Sequence, residues 1–364
     1  MTQDLTILGI ESSCDDTAAA VVRTRDGDTR VLSNITLAQF DRHAAYGGVV
    51  PEIAARAHVE RMDGVIAQAM AEAGARFEDI DAIAATAGPG LIGGVIVGLT
   101  AAKALALAHN KRLVPVNHLE AHALSVRLTE AVEFPYLLLL ISGGHTQLIE
   151  VAGVGRYRRL GTTIDDAAGE AFDKGAKLLG LGQPGGPMIE RAAAGGQPYR
   201  YVFPKPLAGR TGCDFSLSGM KTALRMTAEA LPNPTGQDIA DLAASFQAAL
   251  AAHLASRTAN AIDLFEATPR PSVLVVAGGV AANCAIKEKL KTLTAARGWR
   301  LVYPPPKYCT DNGAMIAWAG IERLRAGLAP APEEALAFAP RARWPLAEPP
   351  EGRAHGGGKK GPKA

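Results

Sequence analysis

Two histidines, His118 and His122, have a spacing that allows metal chemistry. They follow a short strand-like run, Leu113 to Val116. On an α-helix, at roughly 100° per residue, the two imidazoles sit about 40° apart on one face and can bind one ion. Helices that bind nothing also carry such pairs, so the spacing alone indicates only a possible metal site.

Several carboxylates can take part in chemistry beside this pair. Asp311 precedes a helical run, where its plain role would be to cap the helix. A carboxylate beside two imidazoles would also complete a three-ligand metal site with open positions. Asp15 and Asp16, in a polar turn, can act as general bases or position a metal-bound substrate. Asp173 lies on a predicted helix, where its spacing from other charged residues is also typical of a salt-bridged solvent face.

Composition limits the class of protein. With 364 residues, the chain exceeds the usual size of a single core, so we expect two domains or one architecture of two lobes. A formal charge of +2 gives no strong overall field, and any nucleic-acid binding must depend on a local patch. The four cysteines have no CxxC spacing, which disfavours a zinc ribbon and a disulfide framework.

The N-terminus has no basic region followed by an apolar run, so we expect no secretory signal and a cytoplasmic protein. Residues 82–102 are uncharged for long enough to cross a bilayer. Pro89 and a cluster of glycines interrupt this stretch. We therefore predict a buried strand, a glycine-rich turn and a buried helix, and no membrane span.

One order of elements occurs twice along the chain. Each copy begins with two apolar strands around a polar turn, and a third strand and a helix follow. The predicted strands and turns are Leu5–Ile10, Glu11–Asp16 and Thr17–Val22 in the first copy, and Tyr136–Ile141, Ser142–His145 and Thr146–Val151 in the second. The second helix is predicted over Asp165–Leu179, a long loop over 194–219, and a further strand over Val273–Ala277. The pattern predicts an α/β fold of two similar lobes, with a ligand in the crevice between them.

Three turns can bind an anion through backbone N–H groups. They are the two polar turns between paired strands and the Gly278-Gly279 turn after a later strand. Glycine pairs after strands are often simple tight turns, so each alone is weak evidence. The sequence contains no P-loop motif and no GxGxxG motif that opens a helix after a strand, which disfavours the two commonest nucleotide-binding folds.

The histidine pair differs from the HExxH motif of zinc peptidases. In that motif a glutamate directly follows the first histidine and acts as general base. In this chain Glu120 is the third residue of the motif, roughly 200° around a helix from His118. A zinc metallopeptidase is therefore a disfavoured alternative.

Several motifs taken together resemble the TsaD family of tRNA threonylcarbamoyladenosine transferases, formerly described as sialoglycoprotein endopeptidases. The matching stretches are Glu11–Asp16, Tyr46–Glu52, Thr86–Leu91, His118–His122, Ser142–Gln147, Asp165–Lys174, Ala277–Asn283 and Cys309–Gly313. They occur in the order of the family and extend from about Thr6 to Leu346.

The resemblance implies an actin-like, Hsp70-like fold of two duplicated lobes. We expect an N-terminal lobe over 1–117, a C-terminal lobe over 118–346 that begins with a connecting helix over 118–134, and a disordered basic tail over 347–364. The implied reaction transfers a threonylcarbamoyl group from threonylcarbamoyl-AMP to N6 of adenosine 37 in tRNAs that read codons beginning with A. The products are t6A and AMP.

The resemblance also implies roles for particular residues. His118, His122 and Asp311 would hold one divalent metal ion, Fe2+ or Zn2+, and Asp15 and Asp16 are our candidates for catalysis. The residues implied to bind the adenylate are Leu140, Ile141, Ser142, Gly143, Gly144, Asp173, Gly186 and Asn283. Some relatives have a tyrosine as a further metal ligand where this chain has Leu140.

The implied partners are tRNA and two helper proteins, a TsaB-like pseudo-enzyme and a TsaE-like ATPase. The alternative from another class is an actin-like nucleotide-binding module with a regulatory or chaperone-like role. Such a module would change shape on binding ATP without group transfer. It would not need a metal-binding histidine pair, so mutation of His118 and His122 discriminates between the two.

Overall fold

A computed structural model describes residues 4–43, 46, 48–266 and 271–347. Apart from residue 347, the predicted basic tail lies outside these described residues. Two five-stranded mixed sheets form the framework of the chain, and helices cover their faces.

The first sheet is built from the N-terminal third of the chain. Its strands are β1 (Leu5–Glu11), β2 (Thr17–Arg25), β3 (Asp28–Leu37), β4 (Ala82–Gly88) and β5 (Arg112–Asn117). Their order in the sheet is β3-β2-β1-β4-β5. Strands β1, β2 and β3 pair in antiparallel fashion, whereas β4 runs parallel to both β1 and β5.

The second sheet repeats this topology. Its strands are β6 (Tyr136–Ile141), β7 (Thr146–Gly153), β8 (Arg156–Thr162), β9 (Val273–Ala277) and β10 (Arg300–Val302). The order β8-β7-β6-β9-β10 and the parallel or antiparallel sense of every pairing match those of the first sheet. The predicted duplication of an α/β pattern is therefore confirmed.

Twelve α-helices lie within the described residues. They are α1 (Phe40–His43), α2 (Pro51–Glu72), α3 (Ile92–Ala108), α4 (His118–Leu124), α5 (Ala168–Leu178), α6 (Gly185–Ala193), α7 (Ser218–Glu229), α8 (Gly236–Glu266), α9 (Cys284–Arg297), α10 (Pro306–Cys309), α11 (Gly313–Arg325) and α12 (Pro332–Ala337). Short 3-10 turns occur at Phe77–Asp79, Ser125–Leu128 and Gly279–Ala282.

The apolar segment 82–102 forms strand β4, a turn and most of helix α3, as predicted. Its interruption at the turn explains why the long uncharged stretch is not one continuous helix. Within the described ranges, no helix combines the length and the hydropathy needed to cross a membrane.

Two helices have limits that differ from the prediction. Helix α5 begins at Ala168 rather than Asp165. The Asp165 carboxylate accepts hydrogen bonds from the backbone of Leu217 and Ser218 at 2.7 and 3.2 Å. It therefore caps helix α7. The helix predicted over 118–134 ends at Leu124, and only a 3-10 turn follows it.

Helix α4 lies between the two sheets. Its Leu119 and Ala123 pack in the same buried cluster as β6, β7 and β9. Its Ala121 and Leu124 pack with β1, β2, β4 and β5 and with helix α11. The first residues of α4 are therefore held at the junction of both halves of the chain. The predicted boundary between residues 117 and 118 stays a prediction.

Helix α11 follows the second sheet in the chain but packs on the first. The backbones meet so closely at Gly9 and Gly313 that neither position has space for a side chain. A Cβ atom on Gly9 would lie 2.3 Å from the Gly313 carbonyl oxygen, and a Cβ on Gly313 would lie 2.5 Å from the carbonyl carbon of Ala19. This contact sets the distance between β1 and the segment just before α11.

We expect Gly9→Ala to destabilise the protein by about 1–3 kcal/mol, because the added methyl group must push α11 away from β1. Urea denaturation measures the change. Gly64→Ala is the matched control: Gly64 is an exposed helical residue of α2 whose Cβ would meet no atom within 4 Å. That variant should be more stable than the wild type by about 0.5–1 kcal/mol. An unchanged denaturation midpoint for Gly9→Ala would contradict the close contact.

Candidate functional site

The histidine pair lies in the first two turns of α4. Asn117 caps this helix, since its side-chain oxygen accepts hydrogen bonds from the backbone N–H groups of Leu119 and Glu120 at 2.9 and 3.4 Å. The buried rings of His118 and His122 have centroids 4.7 Å apart and planes at 88°. The predicted helical spacing therefore does bring both imidazoles to one place.

Asp311 completes a group of three potential metal ligands. Its Oδ1 lies 3.0 Å from His122 Nε2 and 3.5 Å from His118 Nε2. One ligand atom from each of the three residues lies within 4.8 Å of the others. Nitrogen and oxygen atoms about 2.0–2.2 Å from a shared ion stand roughly 3.0–3.5 Å apart. Both His–Asp311 distances have this spacing, and the three donors are of types that a divalent ion binds.

Asp311 does not cap helix α11, so the capping role considered for it is wrong. Asn312 caps α11, because its side-chain oxygen accepts a hydrogen bond from the backbone N–H of Met315 at 3.0 Å. The Asp311 carboxylate faces the two imidazoles instead.

A fully buried glutamate, Glu11, contacts the ring nitrogen of His118 that points away from Asp311. Its Oε2 lies 2.9 Å from His118 Nδ1 and accepts a hydrogen bond of 2.6 Å from the Thr86 hydroxyl. Its Oε1 accepts from the backbone N–H of Ser13 at 2.5 Å. With Nδ1 directed at Glu11, the Nε2 atom of His118 faces Asp311. An outer carboxylate on a metal-binding histidine fixes the tautomer and the orientation of its ring in this way.

This arrangement is not a nucleophilic Ser-His-acid triad. The hydroxyl of Ser13 lies 3.1 Å from His118 Nδ1, the same ring nitrogen that faces Glu11. A catalytic triad needs the serine and the carboxylate on opposite ring nitrogens. Ser13 therefore supports the orientation of the ring and is not activated by it.

Opposite charges determine the protonation of the group. Burial alone would lower the pKa of His118, but Asp311 and Glu11 raise the pKa to about 9. Burial would raise the pKa of Asp311, but the two neighbouring histidines hold the pKa of that carboxyl well below its usual range. A metal ion bound by this group would displace a proton from His118.

The acidic turn between β1 and β2 lies beside the same group. Burial first, and then the charges of Asp311 and Asp15, raise the pKa of Asp16 to about 8. Burial and the charge of Asp15 also contribute to a raised pKa of Asp173, in the other half of the chain. The Ser13 hydroxyl of this turn lies 3.1 Å from His118 Nδ1, so the turn lies beside the histidine pair.

Glycines at the start of α3 let this turn approach. The Ser12 hydroxyl donates to the Gly94 carbonyl at 2.8 Å, and the Leu91 N–H donates to the Ser13 carbonyl at 2.7 Å. A Cβ atom on Gly94 would lie only 2.3 Å from the Ser12 carbonyl oxygen. The glycine cluster noted in the sequence is therefore explained by this close contact.

His58, on α2, anchors the acidic turn from the other side. Its Nε2 lies 3.0 Å from the Cys14 carbonyl oxygen, and its Nδ1 lies 2.8 Å from the Thr17 hydroxyl. Burial lowers the pKa of His58, so the ring is neutral near pH 7. A neutral ring donates from Nε2 and accepts at Nδ1, which matches both contacts.

The second polar turn, Ser142–His145, follows β6. The Ser142 N–H donates to the His145 carbonyl at 2.8 Å, and the Gly169 N–H donates to the Ser142 carbonyl at 3.1 Å. Gly143 and Gly144 are exposed, so their backbone is open to a ligand. Leu140 and Ile141 are fully buried strand residues, and their side chains belong to the core.

Of the other residues implied to bind an adenylate, Asp173 lies beside the start of helix α6, which carries Gly186. Asp173 Oδ1 accepts a hydrogen bond of 2.8 Å from the Gly185 N–H, at the start of α6. Asn283 caps α9 and donates to Gln247 Oε1 at 2.8 Å. It follows the 3-10 turn Gly279–Ala282, which contacts both α5 and β6.

Glu120 points away from the histidine pair, as predicted from its spacing. Its carboxylate lies 2.8 Å from the Arg323 guanidinium and accepts a hydrogen bond of 2.9 Å from the Tyr157 hydroxyl. It is therefore not placed to act as the general base of a zinc peptidase.

Three residues at or near the site, Glu11, His58 and His145, had no individual role predicted from the sequence. Glu11 gave a usable signal, since it ends a mostly apolar strand and a carboxylate that is buried there must be paired. His145 gave none. Burial, and then the charges of His118 and His122, lower its pKa to about 3, and its buried Nε2 has no partner within the described residues.

Comparisons with solved structures show an actin-like fold. The crystal structure of T. kodakarensis HypF matches 88% of this chain and 48% of its own, with a TM-score of 0.60 and 16% identity. Component A of the Acidaminococcus fermentans (R)-2-hydroxyglutaryl-CoA dehydratase matches 88% of this chain and 99% of its own, with a TM-score of 0.50 and 16% identity. The expected fold class is confirmed.

Sequence comparisons identify the family. A family model described as TsaD, tRNA N6-adenosine threonylcarbamoyltransferase, matches residues 30–318. A protein of that name from Chelativorans sp. (strain BNC1) is 60% identical over 98% of this chain and 99% of its own. Another, from Methylocapsa acidiphila, is 59% identical over 96% of this chain and 99% of its own. The chain therefore belongs to the TsaD family of tRNA N6-adenosine threonylcarbamoyltransferases.

Proposed function

We propose that this chain transfers a threonylcarbamoyl group from threonylcarbamoyl-AMP to N6 of adenosine 37 in tRNAs that read codons beginning with A, forming t6A and releasing AMP. The observation that carries the proposal is the full-length similarity to transferases of this name, at 60% identity over 98% of the chain. The arrangement of the candidate site agrees with the chemistry that such a transfer needs.

His118, His122 and Asp311 are our proposed ligands for one divalent metal ion, Fe2+ or Zn2+. Two imidazoles and a carboxylate suit either ion and leave coordination positions open. A bound ion would polarise the carbamoyl carbonyl, which makes it a better electrophile for a weakly nucleophilic exocyclic amine. Glu11 keeps His118 Nε2 directed at the ion by engaging Nδ1 at 2.9 Å.

The adenylate part of the donor would lie along the second sheet. We assign its binding to Leu140, Ile141, Ser142, Gly143, Gly144, Asp173, Gly186 and Asn283. The exposed backbone of Gly143 and Gly144 supports a phosphate contact, since open N–H groups after a strand suit an anion. The fully buried Leu140 and Ile141 could contribute only through their backbone.

Asp15 and Asp16 are our candidates for removing the proton from the attacking amine. The pKa of Asp16 is raised to about 8 by burial and by the neighbouring carboxylates Asp311 and Asp15. A carboxylate with a pKa near the working pH is a better proton acceptor than one of ordinary pKa. This supports Asp16 as a general base.

Two other functions compete with this one. An actin-like nucleotide-binding module with a regulatory or chaperone-like role would need no metal ligands. A zinc peptidase would need a glutamate base at the ion, and Glu120 is paired with Arg323 instead. We further propose that the protein works in the cytoplasm with a TsaB-like and a TsaE-like helper protein.

The metal ligands can be tested without the reaction. Purified wild-type protein, loaded with Fe2+ or Zn2+ and desalted, should retain about one ion per chain by mass spectrometry of the metal. The variants His118→Ala, His122→Ala and Asp311→Ala should retain almost none. Glu11→Gln should bind the ion about 10–100-fold more weakly, because it removes the outer charge behind His118.

His109→Ala is the control for these variants. His109 is an exposed histidine stacked on Phe77 at a centroid distance of 3.9 Å. Its replacement should leave the metal content unchanged. Full retention of the ion by His122→Ala would contradict the proposed ligand set.

The transfer itself can be tested with unmodified tRNA, threonylcarbamoyl-AMP, the metal ion and the two helper proteins. Wild-type protein should produce t6A, detected by mass spectrometry after digestion to nucleosides. His118→Ala and Asp311→Ala should lower the rate by at least about 100-fold, because the carbonyl loses its electrostatic stabilisation. No t6A above a control without the protein would refute the transferase and favour the binding module.

Replacement of the acidic turn should separate catalysis from metal binding. Asp16→Asn should lower the rate of transfer by about 10²–10⁴-fold, because the proton acceptor is removed. Its metal content should match that of the wild type. Asp15→Asn, a variant with the same change of charge, tests the other candidate in the same assay. Wild-type activity in Asp16→Asn would exclude it as the base.

A further inference from the structure

One cavity on the described surface is lined mainly by basic side chains and has no assigned role. It has a volume of about 600 Å3 and lies between helices α5 and α7. Its lining residues are Lys174, Lys177, Leu178, Lys221, Thr222 and Arg225. Four of these six carry a positive charge and none carries a negative one. In a chain whose formal net charge is only +2, such a concentration of cations is a local feature.

Carboxylates behind the cavity hold two of the cations in place. Asp166 lies 3.1 Å from both Lys174 Nζ and Lys221 Nζ, and Glu170 lies 2.5 Å from Lys174 Nζ. These interactions link α5 to α7 and fix two ammonium groups at the wall of the cavity. They also neutralise part of its charge, so the positive field depends mainly on the other two cations.

Lys177 and Arg225 are those two cations. Lys177 is exposed near the end of α5. The side chain of Arg225 is 56% exposed, and its guanidinium lies 4.0 Å from the Glu229 carboxylate, which is long for an ion pair. Both groups can therefore turn toward an anion that enters the cavity.

The cavity lies next to the proposed adenylate site. Helix α5 carries Asp173, which contacts the Gly185 N–H, and Lys174 is the next residue along the chain. Lys177 is one helical turn further, at a rise of about 6 Å from Asp173. A nucleic acid whose adenosine reaches the candidate site would pass its flanking backbone close to this helix.

We infer that the cavity between α5 and α7 binds the phosphate backbone of the tRNA substrate near the acceptor adenosine. This inference rests on the proposed function, since it presumes that tRNA is the acceptor. Lysine and arginine recognise phosphates through charge, without reading bases. The cavity would therefore position tRNA in general and would not select the anticodon.

The test uses the full-length protein and fluorescently labelled, unmodified tRNA. The double variant Lys177→Glu and Arg225→Glu should weaken binding by about tenfold or more at 0.1 M salt. The slope of log affinity against log salt should fall in magnitude by about 1 for each phosphate that the variant no longer neutralises. The milder pair Lys177→Gln and Arg225→Gln should give an intermediate effect.

The matched control is Lys289→Glu with Lys291→Glu. These two lysines are exposed on α9, and their reversal changes the net charge by the same amount. It should leave the affinity nearly unchanged. Circular dichroism and metal content should match the wild type for every variant.

A failure of the tRNA-binding cavity can be told apart from a failure of the proposed transferase function. If the wild-type protein forms t6A and the Lys177 and Arg225 variants bind tRNA as well as it does, the cavity does not bind tRNA and the transferase function stands. If these variants bind tRNA normally but no longer bind a helper protein, the cavity is a protein contact and does not bind tRNA. If the wild-type protein forms no t6A, the proposed function itself fails.

Discussion

A buried carboxylate, Glu11, is the constraint on which the candidate site depends. It is fully inaccessible to solvent at the end of β1, where an unpaired charge would be very costly. The fold provides three partners: the Ser13 N–H from the adjoining turn, and the Thr86 hydroxyl and His118 Nδ1 from distant parts of the chain. The hydrogen bonds to the Glu11 carboxylate fix the end of β1, the end of β4 and the start of α4 relative to one another. The pairing with His118 lowers the pKa of Glu11, despite the opposing effect of burial, so the carboxylate stays charged.

The close packing of α11 on β1 places the third candidate ligand. Because Gly9 and Gly313 let the two backbones touch, the residues just before α11 are held above the end of the first sheet. Asp311 is one of these residues, and it faces both imidazoles. Helix α4 packs on both sheets, so the histidines lie where the two halves of the chain meet. The acidic turn of the first sheet lies beside His118. A group transfer that needs a nucleotide donor and a polarised carbonyl is suited to this junction.

The sequence predicted the repeated α/β pattern because each copy keeps the same order of apolar strands around a polar turn. It also predicted the direction of Glu120, since helical geometry alone decides which face a residue occupies. It could not predict that Asn312 rather than Asp311 caps α11, because both residues are competent caps and the choice depends on the nearby imidazoles. The role of Asp165 was missed for a similar reason: it caps α7, 53 residues further along the chain, through a tertiary contact. The support of His118 by Glu11 was likewise a long-range contact that no local pattern records.

The decisive experiment for this site is anomalous diffraction from crystals loaded with Fe2+ or Zn2+ and a stable analogue of threonylcarbamoyl-AMP. We expect one peak at the metal edge, about 2.0–2.2 Å from His118 Nε2, His122 Nε2 and an oxygen of Asp311. The adenylate should lie between the Ser142–Gly144 turn and the start of α6, with its carbamoyl end toward the peak. A metal peak elsewhere, or an adenylate whose carbamoyl group points away from these three residues, would contradict the proposed site.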